Sequence, residues 1–94
     1  NILLWVNEEG YHYVKTKPLH GSQSDIKGDA EKLLREKYPV LQGGRFFKLK
    51  YILNYDLEQL FMSKMDQLVV LEPSILSESL RNRIKRLDIL YRSI

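Results

Sequence analysis

The chain of 94 residues has no cysteine, three prolines and no long apolar run. The lack of cysteine excludes disulfides and thiolate-based metal or redox sites. The longest unbroken apolar stretch, residues 2–6, is far shorter than the ~18 residues that a membrane-spanning helix needs. No pattern of a secretory signal is present, and we therefore expect a cytoplasmic protein without a membrane segment.

The composition is that of one small globular domain spanning residues 1–94. Hydrophobic residues make up 44% of the chain, and a domain of this size buries about 60–65% of its unfolded surface. A core can therefore form without metal or disulfide support. The net charge of +3 permits an anionic partner without requiring one. Because the chain opens on Asn1 rather than methionine, we expect it to be a piece of a longer protein.

The first third predicts a strand, a helix and a loop. Residues 2–6 are apolar on both faces, which favours a central strand. Asn7 is typical of a helix N-cap, and the helix should end by Lys17, because the residue before a proline is biased out of the α conformation. Residues 19–28 have loop composition.

The middle of the chain predicts a short helix and a hairpin. Asp29 is predicted to cap a helix that ends before Pro39. Two β-prone runs then flank Gly43 and Gly44, which can supply the positive φ of a tight turn. Residues 39–42 are the predicted second strand, and residues 22–26 are the competing segment. In the following run two faces alternate: Phe47, Leu49, Tyr51 and Leu53 on one, and Phe46, Lys48, Lys50 and Ile52 on the other.

The last third predicts a helix capped by Asn54, a short buried strand closed by Pro73, and a long C-terminal helix. Serines 74, 77 and 79 are interpreted as caps of that last helix. One face of it carries an apolar stripe: Leu76, Leu80, Ile84, Leu87 and Tyr91, with Leu90 and Ile94 beside them.

These elements predict an α+β fold. Without the inserted short helix their order is β-α-β-β-α-β plus a terminal helix, the ferredoxin-like plan with helices on one face of the sheet. That plan places the first and third strands centrally, where the chain has runs that are apolar on both sides.

Three segments carry a resemblance to a known family: "YVKTKPLHGSQ", "YDLEQLFMSKMDQLVVLEPSIL" and the ending "LYRSI". Together they resemble the C-terminal extension (WCX) of WYL-domain transcriptional regulators, of the type found in Bacteroidetes. The resemblance covers roughly residues 2–91, and its most specific part is "VVLEP". The chain departs from the family where Met65 replaces a usual glycine, and the helix at 29–38 is additional.

The resemblance implies an accessory domain of a bacterial DNA-binding regulator. Such a regulator carries a winged helix-turn-helix and a WYL domain elsewhere in its chain, and it contacts DNA through the former. The extension is expected to support a homodimer and to flank the site that senses an effector, a nucleotide or single-stranded nucleic-acid fragment. No cofactor is expected.

The loop after the first helix is the candidate ligand site. Its lysines are point charges suited to phosphate, and its amide and hydroxyl groups are donors. The candidate residues are Lys15, Lys17, His20, Ser22 and Gln23. The alternative interpretation is a solvated helix end, where lysines are favourable near the C-terminus.

Other features have structural interpretations. His12 and His20 lack a carboxylate at metal spacing, so no metal site is predicted. Residues 81–86, "RNRIKR", resemble a nucleic-acid patch, but their basic side chains fit the polar stripe of the last helix. The aromatic side chains that could stack on bases are assigned to the core: Trp5, Phe47 and Tyr51.

The uncovered face of the predicted sheet is the candidate interface. Phe46 and Ile52 lie on it, and monomers rarely expose a large apolar patch. A twofold dimer through this face is therefore predicted.

Two other function classes stay open: a free-standing nucleic-acid-binding module, and an ACT-like small-molecule sensor. An enzyme is not expected, because the sequence has no nucleophile elbow, P-loop or motif-placed pair of carboxylates.

Overall fold

A computed structural model describes residues 1–52, 54–64 and 66–94. Strands and helices alternate along the chain: β1 Ile2–Val6, α1 Glu8–Thr16, β2 Ser24–Asp25, α2 Gly28–Lys37, β3 Arg45–Leu49, α3 Tyr55–Met62, β4 Leu68–Glu72 and α4 Ser74–Ser93. The predicted α+β class is confirmed.

The four strands form one antiparallel sheet in the order β2-β3-β1-β4. When α2 is set aside as an insertion, the order of elements is β-α-β-β-α-β, followed by α4. The ferredoxin-like plan, with β1 and β3 at its centre, is therefore confirmed.

The predicted position of the second strand was wrong. Residues 39–42 form a turn and loop, and β2 lies in the competing segment, with Ser24 opposite Lys48 and Asp25 opposite Phe47. The inserted helix therefore follows β2 instead of preceding it. A two-residue edge strand is too short to show an alternating pattern, so the sequence favoured the longer apolar run.

Gly43 and Gly44 have the predicted positive φ, 67° and 60°, but they do not close a hairpin. They lead the chain from α2 into β3 beside the end of β1. A Cβ on Gly44 would lie 2.2 Å from the carbonyl oxygen of Val6. The glycine therefore permits a close backbone approach where the central strands β1 and β3 meet.

The main core lies between one face of the sheet and the helices α1, α3 and the first half of α4. Its strand residues alternate along β1, as expected for a face with period two. The buried members are Ile2, Leu4, Val6, Val14, Phe47, Leu49, Leu57, Phe61, Leu68, Val70, Leu76 and Leu80.

A second cluster covers the opposite face, which the sequence interpretation had left uncovered. Helix α2 and its following loop pack there. The buried members are Leu3, Ile26 and Phe46, and the partly buried ones are Trp5, Leu34, Tyr38, Leu41 and Leu71. The apolar residues on both sides of β1 are thus explained within the chain.

Two predicted helix caps are confirmed and two are wrong. The Oδ1 atoms of Asn7 and Asn54 each accept a backbone N–H, at 2.8 Å. Helix α2 begins instead after Lys27, with Asp29 already in its first turn, and α4 begins after Pro73; neither has a side-chain cap.

The predicted third strand is shorter than expected, because β3 ends at Leu49. Tyr51 and Ile52 follow it outside the strand. The predicted inward position of Leu53 and the departure at Met65 fall on residues outside those described. Over the described ranges, no helix combines the length and the apolar composition needed to cross a membrane.

Candidate functional site: the loop after the first helix

The loop from Lys17 to Gln23 begins where α1 ends. The backbone N–H of Lys17 donates to the carbonyl of Tyr13 at 2.8 Å, closing the last turn. The Thr16 hydroxyl donates to the same carbonyl at 3.1 Å. Pro18 then prevents further helix, as predicted.

The side chain of Gln23 forms hydrogen bonds that fix the conformation of the loop. Its Oε1 accepts the backbone N–H of Leu19 at 2.9 Å, and its Nε2 donates to the carbonyl of Val14 at 3.4 Å. Its own N–H donates to the carbonyl of His20 at 3.0 Å. The Gln23 amide is therefore used to fold the loop back onto α1.

Ser22 joins the loop to the end of β3. Its Oγ accepts the N–H of Lys50 at 2.8 Å and lies 3.0 Å from the carbonyl of the same residue. A side chain thus extends the β2–β3 pairing by one step. The N–H of Ser22 also donates to Nδ1 of His20 at 3.1 Å, and the Ser22 hydroxyl lies 2.7 Å from the same nitrogen.

His20 packs edge-on against Tyr51, with ring centroids 4.4 Å apart and an interplanar angle of 82°. Both side chains line an open cleft of about 370 Å³. The cleft is lined by His20, Lys50, Tyr51, Ile52 and Asn54. Tyr51 is 39% exposed, so its assignment to the core was wrong. Phe47 packs in the main core as predicted, whereas Trp5 is partly buried in the cluster on the opposite face of the sheet.

The two lysines lie apart from this cleft. Lys15 and Lys17 are exposed at the end of α1. Lys17 lines a different cleft of about 380 Å³, together with Lys64 and apolar side chains that include Leu60. The five candidate ligand residues therefore do not line one pocket: Ser22 and Gln23 organise the loop, and only His20 lines the cleft with Tyr51.

The His20 cleft combines a cation, an exposed aromatic ring and a loop set by hydrogen bonds. Lys50 supplies the charge, and Tyr51 presents a ring on which a planar group can stack. The arrangement suits a planar anionic ligand. Across the part of the chain that the structure describes, no cluster of His, Asp and Glu could hold a metal ion.

Sequence reasoning missed Lys50 and Tyr51 as companions of His20. The signal was present in the pairing: β2 begins just after the loop and runs antiparallel to β3. The residues that follow β3 must then lie beside the residues that precede β2. Choosing residues 22–26 as the second strand would have placed Tyr51 next to the loop.

The candidate interface residues do not form one surface. Phe46 is 0% exposed beneath α2, whereas Ile52 is 81% exposed at the His20 cleft. The basic side chains of segment 81–86 do not form one surface either. Arg83 forms an ion pair with Glu58 on α3 at 3.0 Å, and Arg81 lines a cleft between α4 and β4.

Comparison of the chain with protein-family models, curated proteins and solved structures finds no match. The geometry of the clefts and the sequence resemblance therefore carry the functional argument.

Proposed function

We propose that this chain is the accessory, effector-sensing domain of a bacterial DNA-binding transcriptional regulator, similar to the extension of WYL-domain proteins. It works in the cytoplasm without catalysis, beside a WYL domain and a winged helix-turn-helix in the same full-length chain. The proposal rests mainly on the Ser22–Lys50 connection, which fixes the resembling loop to β3 and forms the His20 cleft.

The expected effector is a nucleotide or a short single-stranded nucleic acid. A base stacks on Tyr51, and the phosphate is neutralised by Lys50. Lys15 and Lys17 add positive charge at the end of the neighbouring helix. Few phosphates are neutralised, so the isolated domain binds weakly and depends on its WYL neighbour for affinity.

Signalling requires that the effector prefer one arrangement of the full-length protein. The loop is suited to this task, because Ser22 attaches it to the sheet at Lys50, next to the ligand. Binding at Tyr51 changes the position of the loop relative to β3. The loop can transmit that change to an adjoining domain and, through it, to the DNA-binding element.

The test is an NMR titration of the chain with a thymidine trinucleotide. We expect shifts confined to residues 17–23 and 50–54, and loss of those shifts in Tyr51→Ala and Lys50→Ala. Tyr13→Ala is the control, because Tyr13 lines the Lys17 cleft instead. Shifts that survive Tyr51→Ala would refute the assignment of the site.

The titration also separates the other function classes. Submicromolar binding at physiological salt would support a free-standing nucleic-acid-binding module. Binding of a small metabolite in the same cleft, with no response to the oligonucleotide, would support an ACT-like sensor. In the full-length regulator, replacing Lys15 and Lys17 with alanine should weaken effector-dependent DNA binding.

A further inference from the structure

The second half of α4 extends past the core with an apolar stripe on its surface. Burial along the helix ends at Leu80. Beyond it, Ile84 is 43% exposed, Leu87 36%, Tyr91 68% and Ile94 98%. These residues follow each other at alternating steps of four and three from Leu80, which places them on one side of the helix, as in a two-helix seam.

The stripe continues into a cleft. A cavity of about 210 Å³ lies between α3, the edge strand β4 and α4, and both Leu80 and Ile84 line it. The remaining lining is mostly apolar: Phe61, Met62, Leu68, Val69, Val70, Ser77 and Arg81. Stripe and cleft thus form one continuous apolar surface, of a kind that monomers rarely leave exposed.

We propose that this surface pairs with the same surface of a second copy of the chain, helix α4 against helix α4 in antiparallel orientation. A twofold axis between positions 85 and 86 sets Ile84 against Leu87 of the second copy. The same register sets Leu80 against Tyr91 of the second copy. The exposed Tyr91 of each copy then enters the cleft beside Leu80 of the other copy.

Charge complementarity selects the antiparallel arrangement. Arg81 and Asp88 lie on the same flank of the stripe, and the register brings Arg81 close to Asp88 of the second copy. Two such pairs form by symmetry, whereas a parallel in-register arrangement would set Arg81 and Asp88 of the second copy on opposite flanks of the seam and form neither pair. Lys85 and Arg86 point away from the seam, and Arg83 is already paired with Glu58.

The contact area is sufficient for specific association. Removing these side chains from water on both copies buries on the order of 1,000 Å², the lower bound for a specific interface. The inference does not depend on the proposed function, because no effector takes part. It also differs from the dimer predicted through the sheet, whose Phe46 is covered by α2.

The test is sedimentation equilibrium of the chain and a matched pair of variants. Ile84→Glu places a carboxylate in the seam, where it meets apolar side chains of the other copy. Ile89→Glu changes the same residue type on the same helix, but Ile89, 55% exposed, lies off the stripe. We expect a wild-type dimer, a dissociation constant at least about 100-fold higher for Ile84→Glu, and no change for Ile89→Glu.

A charge exchange tests the register. Arg81→Asp and Asp88→Arg should each weaken the dimer, and the double variant should restore it. Asp88 also pairs with Arg92 of its own chain at 2.9 Å, so Arg92→Ala is the control and should leave the dimer intact.

Three results would overturn the proposal. One is a monomeric wild-type chain at millimolar concentration. Another is equal weakening by Ile84→Glu and Ile89→Glu. The third is an apolar surface that stays unpaired and instead binds an acidic peptide, with an affinity that falls as salt is added. The helical circular dichroism of each variant verifies that it is folded.

Discussion

The two faces of the sheet are covered in different ways. On one face, α1, α3 and the start of α4 enclose a core of twelve buried residues. On the other, the single helix α2 covers three buried residues and leaves its own apolar side chains partly exposed. Both counts refer to the described ranges. The same strands therefore support a deep core and a shallow one.

The helices of the two faces are also fixed differently. Asn7 and Asn54 cap α1 and α3, whereas α2, like α4, has no side-chain cap. Instead, Arg35 attaches α2 to the loop before β3. Its guanidinium donates to the carbonyls of Leu41, Gly43 and Gly44 and lies 5.0 Å from the Phe46 ring. The inserted helix is thus held by the small cluster beneath it and by the polar contacts of Arg35, whereas α1, α3 and α4 pack on the main core.

The largest expected effect is that of Phe47→Ala in the deep core. Phe47 is 1% exposed and stacks on Tyr11, with ring centroids 6.1 Å apart. Three helices and two neighbouring strands fix its surroundings, so the cavity cannot collapse. We expect a loss of about 3–5 kcal/mol in the free energy of unfolding, measured by urea denaturation.

Phe46→Ala is the matched substitution beneath α2 and should cost less free energy of unfolding, about 3 kcal/mol, the lower end of the range for a buried phenylalanine. Phe46 is equally buried, at 0% exposure. Its cover is one helix attached through a loop, which can move inward to fill the space. Equal losses in the two variants would contradict the distinction between the faces.

Arg35→Lys should have the next largest effect and lower the free energy of unfolding by about 1–2 kcal/mol. Lysine keeps the charge but cannot donate to three carbonyls from one planar group. Hydrogen exchange should accelerate in α2 and leave α1 unchanged. Arg86→Lys, on the exposed side of α4, is the control and should leave both helices unchanged; acceleration in α1 would show that the two faces unfold together.

The smallest expected effect is an increase in the free energy of unfolding. Lys27 has the extended backbone of an N-cap but no capping side chain. Lys27→Asn should therefore stabilise α2 by about 0.5–1 kcal/mol, observed as a higher denaturation midpoint. Lys32→Asn, inside the same helix, should instead lower the free energy of unfolding by about a few tenths of a kcal/mol. A gain from both variants would mean that removal of charge, and not capping, is responsible.

Short-range sequence signals predicted much of the face of the sheet that carries the main core. Asn7 and Pro18 bound α1, Asn54 starts α3, and the apolar faces of β1 and β3 place both strands centrally. Each of these signals acts within a few residues. The loop from Lys17 to Gln23 was likewise predicted from its residues, but its position beside Tyr51 was not.

The shallow face was decided by contacts between distant segments. The two residues of β2 have no period of their own and become a strand only because β3 offers an unpaired edge. Gly43 and Gly44 have the φ values of a turn, yet their position beside Val6 makes them the entry to β3.

The sequence by itself determined the fold class, the limits of α1, the start of α3 and the apolar stripe along α4, because each depends on spacing and near neighbours. Only the tertiary structure decided which face α2 covers, where the loop after α1 attaches and where burial along α4 ends. These depend on the size of the sheet. Five-residue strands support only the first turns of a 20-residue helix, so the stripe beyond Leu80 extends past the core that would bury it.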